Sequence, residues 1–427
     1  MFPLALLAFR NLVRNRRRTL LAMGAVVVGL AALTMLRGFV NAVQKAQLES
    51  TLYGTTGMLQ IHKKGYLKNV LSNPLNLSFK DSEQLRTTIK SVNSVEAISP
   101  RLLFSASLSV TENFVEAELE NLGEPKTTYL SANAVDPELD RLTLPHYFEW
   151  VTSGSVFESS DAIAMVVHQD VAGPLGLDDL SAHQQLREDE LPVLLAPDRD
   201  GALSGEAVRI TGILGSAVPT DKRLALAPLA TIQKLLKMPG QITEYVVRAS
   251  DVSKVAQVQI DLQRVLGEEF EVHRWDEILP FIRDLLDNIW LIFGFVTAVF
   301  LLVIMLGIVN SMFMNVMERV REIGTMMALG VRQKAILGIF IMEGAFLGAV
   351  GAVIGLSAGM IVVYIASLYG IEIPAPGSTI RFMLRPFLSA NYLASAFCIT
   401  TLGSALVSVW PAWRASRLRP VEALGAV

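Results

Sequence analysis

The sequence predicts an α-helical membrane protein with four transmembrane helices and a large α+β extracytoplasmic domain, ordered as one span, the domain, then three spans. Three observations carry this. Hydrophobic residues make up 52% of the 427 residues and the mean hydropathy is +0.43, too apolar for an ordinary soluble protein. Yet 18% of residues are charged, too many for a chain that lies wholly in a bilayer. Charge is also uneven: residues 1–40 carry +6 and residues 286–427 carry +3, leaving −12 for the residues between out of a total of −3.

Residues 1–18 form a basic cytoplasmic elbow. "RNLVRNRRR" places Arg10, Arg14, Arg16, Arg17 and Arg18 directly before the first apolar run. Transmembrane helix 1 is assigned to residues 19–40, long enough for a hydrocarbon core of about 30 Å. Its apolar core is too long for a cleaved signal peptide and no small-residue cleavage site follows cleanly, so it reads as a retained anchor. Arginines before the span put the N-terminus in the cytoplasm.

Residues 41–285 then form the periplasmic α+β domain. "MLQIH", "LFSASLSV" and "EYVVRAS" read as strands, rich in β-branched residues or alternating in polarity. "DSEQLRTTIKSV", "LATIQKLLK" and "SKVAQVQIDLQRVLG" show helical periodicity, the first with Asp81 or Ser82 as N-cap. Residues 177–205 are acidic and turn-rich and read as a long loop, either a solvated insertion or a partner-binding element. The single cysteine, Cys398, excludes an internal disulfide framework and a cysteine-based metal site. His62, His146, His168, His183 and His273 are scattered, none with metal-pair spacing, and no metal site is assigned. No G-x-S-x-G, H-E-x-x-H or Rossmann glycine pattern occurs. G-x-x-x-x-G-K-[ST] is missing too, and no basic patch suits nucleic acid. Catalytic and cofactor-binding residues are therefore none, and the chain is not expected to be an enzyme.

Residues 286–314 are a stalk and transmembrane helix 2; "FIRDLLDNIW" runs into the span with no breaker after Pro280. Residues 315–335 return on the cytoplasmic side with Arg319, Arg321, Arg332 and Lys334 against Glu318 and Glu322. Val316, Val320, Ile323 and Met327 recur at helical spacing, while Gly324 and Gly330 weaken helix continuity. This stretch fits an interfacial helix with solvated charges and fits equally a docking element for a cytoplasmic partner. Transmembrane helix 3 covers 336–368. Its Gly344, Gly348, Gly351, Gly355 and Gly359 make a groove for close helix approach, either to neighbouring spans or to another subunit. Glu343, near the cytoplasmic end, is read as interfacial or arginine-paired, with a transport path as the other reading. A short outer loop, 369–391, leads to transmembrane helix 4, 392–411. The tail, 412–427, carries Arg414, Arg417 and Arg419 against Glu422 and lies inside.

The order of elements, with "ERVREIGTMMALGVRQKAI", "EGAFLGAVGAVIGLSAG" and "PAWRASRLRPVEAL", resembles the permease subunits of MacB-type (type VII) ABC transporters, a group that includes FtsX, MacB and LolC/LolE. The resemblance covers nearly the whole chain. "GMLQIHKKGY" and "VHRWDEILPFI" look most like the LolC/LolE lipoprotein-release branch. The resemblance implies a coupling helix seated on a separate ABC ATPase, carried over to Glu318, Arg319, Arg321, Glu322, Ile323, Gly324, Met327 and Gly330. It also implies two ATPase copies that bind ATP and Mg, a second permease chain in a homo- or heterodimer, and contact with membrane lipid. A periplasmic carrier or adaptor would be a further partner, with residues 177–205 the candidate hook. The implied place is the cell inner membrane. The implied function is mechanotransmission of ATPase movement to the periplasmic domain, to extract or release lipoproteins or another envelope substrate. A tripartite drug or peptide efflux pump and an FtsX-like regulator of a cell-wall enzyme are the alternatives.

Overall fold

The computed structural model describes residues 16–69, 74–110, 126–177, 180, 191–215, 224–374 and 381–417. The basic stretch before Arg16, most of the acidic segment 178–190 and the tail beyond Arg417 lie outside the described residues. The first helix, α1 (Arg16–Ser50), has 35 residues and a length of about 50 Å at 1.5 Å per residue. It continues past the expected end at Val40 because nothing between Arg37 and Ser50 breaks a helix, and it closes in a π-helical turn, Thr51–Thr55.

Contacts divide the chain into two units, one comprising residues 46–283 with 373–382, the other the remaining segments. The first unit is built on a mixed sheet. Its strands are β1 (Leu59–Lys63), β2 (Val95–Val110), β3 (Lys126–Val135), β4 (Val151–Gly154), β5 (Ala164–His168), β6 (Val193–Pro197), β7 (Leu203–Ala207), β8 (Arg209–Leu214), β9 (Leu224–Pro228), β10 (Glu244–Ala249) and β11 (Phe270–Arg274). They run in the order β11-β1-β10-β2-β3-β9-β5-β8-β4, with β6 joining β2 to β7. Most neighbours are antiparallel, but β9 is parallel to β3 and β8 to β5, which gives an α+β domain rather than a meander. Period-two burial places Leu102, Phe104, Ala106 and Leu108 of β2 and Leu130, Ala132 and Ala134 of β3 in the core.

Helices cover this sheet. α2 (Glu83–Lys90) starts at Ser82, whose hydroxyl accepts from the Leu85 N–H. α3 (Pro137–Thr143) is capped by Asp136 with Pro137 in its first turn. α4 (Val255–Leu266) sends Val255, Val258 and Leu262 into the core at helical spacing. Between α3 and β2 lies a buried ion pair. Arg101 donates to both oxygens of Asp140 at 2.8 and 2.7 Å, and Ser99 donates to the same carboxylate at 2.9 Å. Bidentate geometry and a third donor satisfy the pair where water is excluded.

Residues 177–205 are not one long loop. Val193–Pro197 and Leu203–Ala207 pair in register from Val193↔Ala207 to Pro197↔Leu203. Asp198 closes the turn by accepting from the N–H groups of Asp200 and Ala202. The hairpin was hidden because Val193, Leu194 and Leu195 are all apolar, so no alternation of polarity marks the face that carries Leu194 and Ala196 inward.

In the second unit α1 is joined by α5 (Pro280–Glu318), α6 (Val320–Ala328), α7 (Gln333–Tyr369), α8 (Ala390–Val407) and α9 (Val409–Ser416). Among the described residues, four helical stretches are long and apolar enough to cross a membrane: Met23–Thr55, Pro280–Glu318, Gln333–Tyr369 and Ala390–Ser416. Pro280 starts α5 where a missing N–H costs nothing, and the helix then runs 39 residues to Glu318. Two short strands, Ile371–Pro374 and Arg381–Leu384, pair between α7 and α8.

The glycine stripe of α7 is spent on neighbouring helices. A methyl group at Gly344 or Gly348 would run into Ser408 or Ser404. At Gly351 it would stand 2.8 Å from Val26, and at Gly359 2.6 Å from Thr34. Thus the upper part of the stripe receives α1 and the lower part the serines that end α8. Those hydroxyls bond their own helix, Ser404 to the Thr400 carbonyl at 2.6 Å and Ser408 to the Ser404 carbonyl at 2.7 Å, so they need no water inside the bundle.

Gly355 has little room to yield, because an added Cβ meets the Val27 carbonyl oxygen at 2.9 Å, whereas one at Gly338 meets nothing within 4 Å. Gly355→Ala is expected to destabilise the bundle by about 1–3 kcal/mol, the usual cost of overpacking, with Gly338→Ala neutral. Thermal denaturation of the full chain in detergent checks this; equal melting of the two variants would refute close α1–α7 packing.

Candidate functional site

The polar segment between the second and third spans is built from a break in the helix. α5 ends at Glu318 because Arg319 leaves helical geometry, with φ −104° and ψ 14°. α6 then starts in a new direction and runs unbroken through Gly324 to Ala328. Val316 and Ile323 therefore belong to two helices, and the apolar face read as continuous is assembled from both. They share a cluster with Ile336, Phe340, Ala412 and Ala415, against which Met326 and Met327 pack. The end of α9 is fixed to the same region. Trp410 stacks on Phe313 with ring centroids 5.6 Å apart, and the Arg414 guanidinium lies 5.3 Å from the Phe313 ring.

Arg319 explains the break. Its Nε donates to Glu322 at 2.9 Å, and its Nη1 stands 3.7 Å from Glu343 of α7. Asn315 of α5 donates to the other oxygen of Glu343. Glu343 is only 4% exposed; Arg319 supplies a countercharge at ion-pair distance and Asn315 a hydrogen bond to a carboxylate that lipid could not solvate. Of the two readings of Glu343, the arginine-paired one describes this geometry.

The eight residues carried over by resemblance thus separate into two faces. Arg319, Ile323 and Gly324 point into the bundle, and Glu322 and Met327 are half-buried. Gly324 is not a turn residue, in contrast to the expectation that it interrupts the helix; it sits in mid-helix, where a missing side chain permits close packing. Glu318, Arg321 and Gly330 are exposed, as are Arg332 and Lys334. Gly330 reverses the chain: at φ +88° it donates to the Met327 carbonyl at 3.0 Å while Val331 donates to Met326 at 3.0 Å, the paired bonds of a Schellman end. The reversal presents Leu329, 81% exposed, and Val331, 37% exposed, beside Arg321, Arg332 and Lys334.

Sequence spacing also missed a contact in the α+β unit. Antiparallel pairing of β1 with β11 sets the His62 and His273 rings 5.6 Å apart. His62 stacks on Tyr66 and lies 3.2 Å from Glu244. Burial, with His62 nearby, holds the His273 imidazole below its usual range. No group of three or more metal-ligating side chains is formed among the described residues.

Two family models match the chain: the MacB-like periplasmic core domain over residues 19–265 and the FtsX-like permease C-terminal region over residues 294–420. A macrolide export ATP-binding/permease protein MacB from Nitrobacter winogradskyi is 24% identical over 422 residues, covering 98% of this chain and 59% of that protein. A pyoverdine export ATP-binding/permease protein PvdT from Pseudomonas fluorescens is 25% identical over 439 residues, with 98% and 58% covered. This chain therefore spans under two thirds of the length of these relatives. Among solved structures, the periplasmic region of MacB from Actinobacillus actinomycetemcomitans aligns with a TM-score of 0.35 at 11% identity, over 56% of this chain and 98% of that one. The extracellular domain of the transporter YknZ from Gram-positive bacteria aligns with a TM-score of 0.32 at 13% identity, over 51% and 100%.

The Arg319–Glu343 pair is testable apart from any partner. Arg319→Gln leaves a buried carboxylate without its cation and is expected to cost about 3–5 kcal/mol. Adding Glu343→Gln to that variant should recover most of the loss, because an amide can still accept from Asn315. Detergent melts of the single and double variants decide it: a double variant no more stable than Arg319→Gln would remove the pair from the account.

Proposed function

Because this chain belongs to the MacB/FtsX-type family of ABC-transporter permeases, we propose that it is the permease half of an ATP-driven envelope transporter. In this reading it passes the movement of a partner ABC ATPase to its own α+β domain. The segment from Glu318 to Lys334 is the coupling element on the cytoplasmic side, and the α+β domain works on the periplasmic side of the inner membrane. The observation that carries this reading is the two-faced build of the segment, with Arg319 locked to α7 and Arg321, Leu329, Val331, Arg332 and Lys334 turned outward. A push on the outward face is delivered through Arg319 to Glu343, and through the unbroken α5 toward Pro280. In this reading ATP and Mg belong to the partner ATPase, two copies of which would serve a dimer of permeases.

The substrate proposed is a lipid-anchored or amphipathic envelope molecule, on the strength of the "GMLQIHKKGY" and "VHRWDEILPFI" motifs. Export of a small molecule through a multi-part pump is the second reading, favoured by the macrolide and pyoverdine export named for its relatives.

Affinity purification of the full chain from mild detergent, alone and with Glu318→Arg and Arg321→Glu combined, tests the coupling assignment. Wild type is expected to bring down an ATPase with a Walker A motif, and the charge-reversed chain to lose it, roughly tenfold or more, while melting unchanged. Recovery of no ATPase by the wild type would overturn the proposal. A co-purified acylated protein favours the first substrate reading; a periplasmic adaptor without one favours the second.

A further inference from the structure

A second charge sits in the bundle at the end where α8 begins, and no described residue neutralises it. Arg37 follows the run Thr19–Leu36 of α1, which has no charged residue and rises about 27 Å. That length sets Arg37 at one hydrocarbon boundary of a core about 30 Å thick. Its guanidinium lies 3.9 Å from the Trp290 ring centroid, 5.0 Å from Phe293 and 5.8 Å from Tyr392. These rings come from α5 and α8, so three helices contribute to one cage. Nε and Nη1 are buried with no hydrogen-bond acceptor. The neighbouring amides are engaged elsewhere, Asn41 with the Phe387 carbonyl at 3.0 Å and Gln44 with that of Leu286 at 3.5 Å.

Ring faces attract a guanidinium by about 0.5–2 kcal/mol, but they accept no conventional hydrogen bond and bring no countercharge. A charge at the bilayer centre costs about 2.5–3.5 kcal/mol, and an arginine near a span end is relieved of that cost by reaching polar groups at the interface. The cage is shut on the Phe293 side, 8% exposed, and open at Trp290, 49% exposed, which on a membrane helix is the side that meets lipid. Trp and Tyr at a span end also mark the headgroup level. What this level supplies, and the protein withholds, is an anionic oxygen acceptor that matches a planar donor fork.

We propose that Arg37, caged by Trp290, Phe293 and Tyr392, is a binding site for the phosphate of an anionic phospholipid. The lipid headgroup approaches past Trp290 and takes the guanidinium edge left free by the rings, and its charge replaces the internal partner that Arg37 lacks. The site depends on the membrane placement of the helices and not on the transport reading.

Native mass spectrometry of the full chain, given equal amounts of phosphatidylglycerol and phosphatidylcholine in detergent, tests it. Wild type is expected to retain phosphatidylglycerol about tenfold over phosphatidylcholine, a preference of about 1.4 kcal/mol. Arg37→Met should abolish that preference, and Arg37→Lys, which keeps the charge but loses the fork, should leave a weaker one. Trp290→Leu, which opens the cage without touching the charge, should weaken it as well. Equal retention of both lipids by the wild type overturns the proposal without any variant, so a failure of Arg37→Met to fold leaves it decidable. An unchanged preference in Arg37→Lys and Trp290→Leu overturns it too. Displacement of phosphatidylglycerol by millimolar inorganic phosphate would assign the site to a soluble anion and overturn the lipid assignment.

Discussion

A carboxylate in the wall of a helix bundle has to be answered by a cation or hydrogen-bond donors, and Glu343 sets the form of one end of this protein by that requirement. Arg319 reaches it while leaving helical geometry. That departure ends α5, redirects the chain as α6 and drives Ile323 into the cluster with Val316, Phe340 and Ala415. Once α6 lies in this direction, Arg321 must face outward, since residues two apart on a helix point to nearly opposite sides. Gly330 then turns the chain back within the four-residue link to α7. The outward surface of the segment is thus a consequence of satisfying a charge on its inward side.

How much of this could be read in advance depended on how local the physics is. The four spans were legible because apolar length is a property of a continuous stretch, and the continuity of α5 followed from the lack of any breaker between Pro280 and Trp290. The five-glycine period was equally legible as close packing. Its partners were not: Gly344 and Gly348 receive Ser408 and Ser404, while Gly355 and Gly359 receive α1, and no feature within the third span distinguishes these. Which charged residues between the second and third spans face inward was not legible. Arg319 and Arg321 look alike in "ERVREIG", and only Glu343, more than twenty residues away in the next span, makes one structural and leaves the other outside.

The same limit applies in the α+β unit. His62 and His273 are separated by most of the domain and meet because β1 and β11 pair, which spacing along the chain cannot express. The β6–β7 hairpin failed for the opposite reason: its signal was local, but a run of apolar side chains on both faces erased the alternation that normally identifies a strand.

A charge in a bilayer protein is neutralised either from within or from without, and this chain does one at each end of its bundle. Glu343 is met by Arg319 and Asn315, groups of the protein itself, which makes the joint between α5, α6 and α7 stiff. Moving α6 away from α7 would separate charges in a medium of low dielectric constant, where their attraction is far stronger than in water. Arg37 is met only by rings, which hold the cation in place but leave its donors unfulfilled. Its best partner lies in the surrounding lipid, so that end of the bundle can exchange what neutralises it without breaking any bond within the protein.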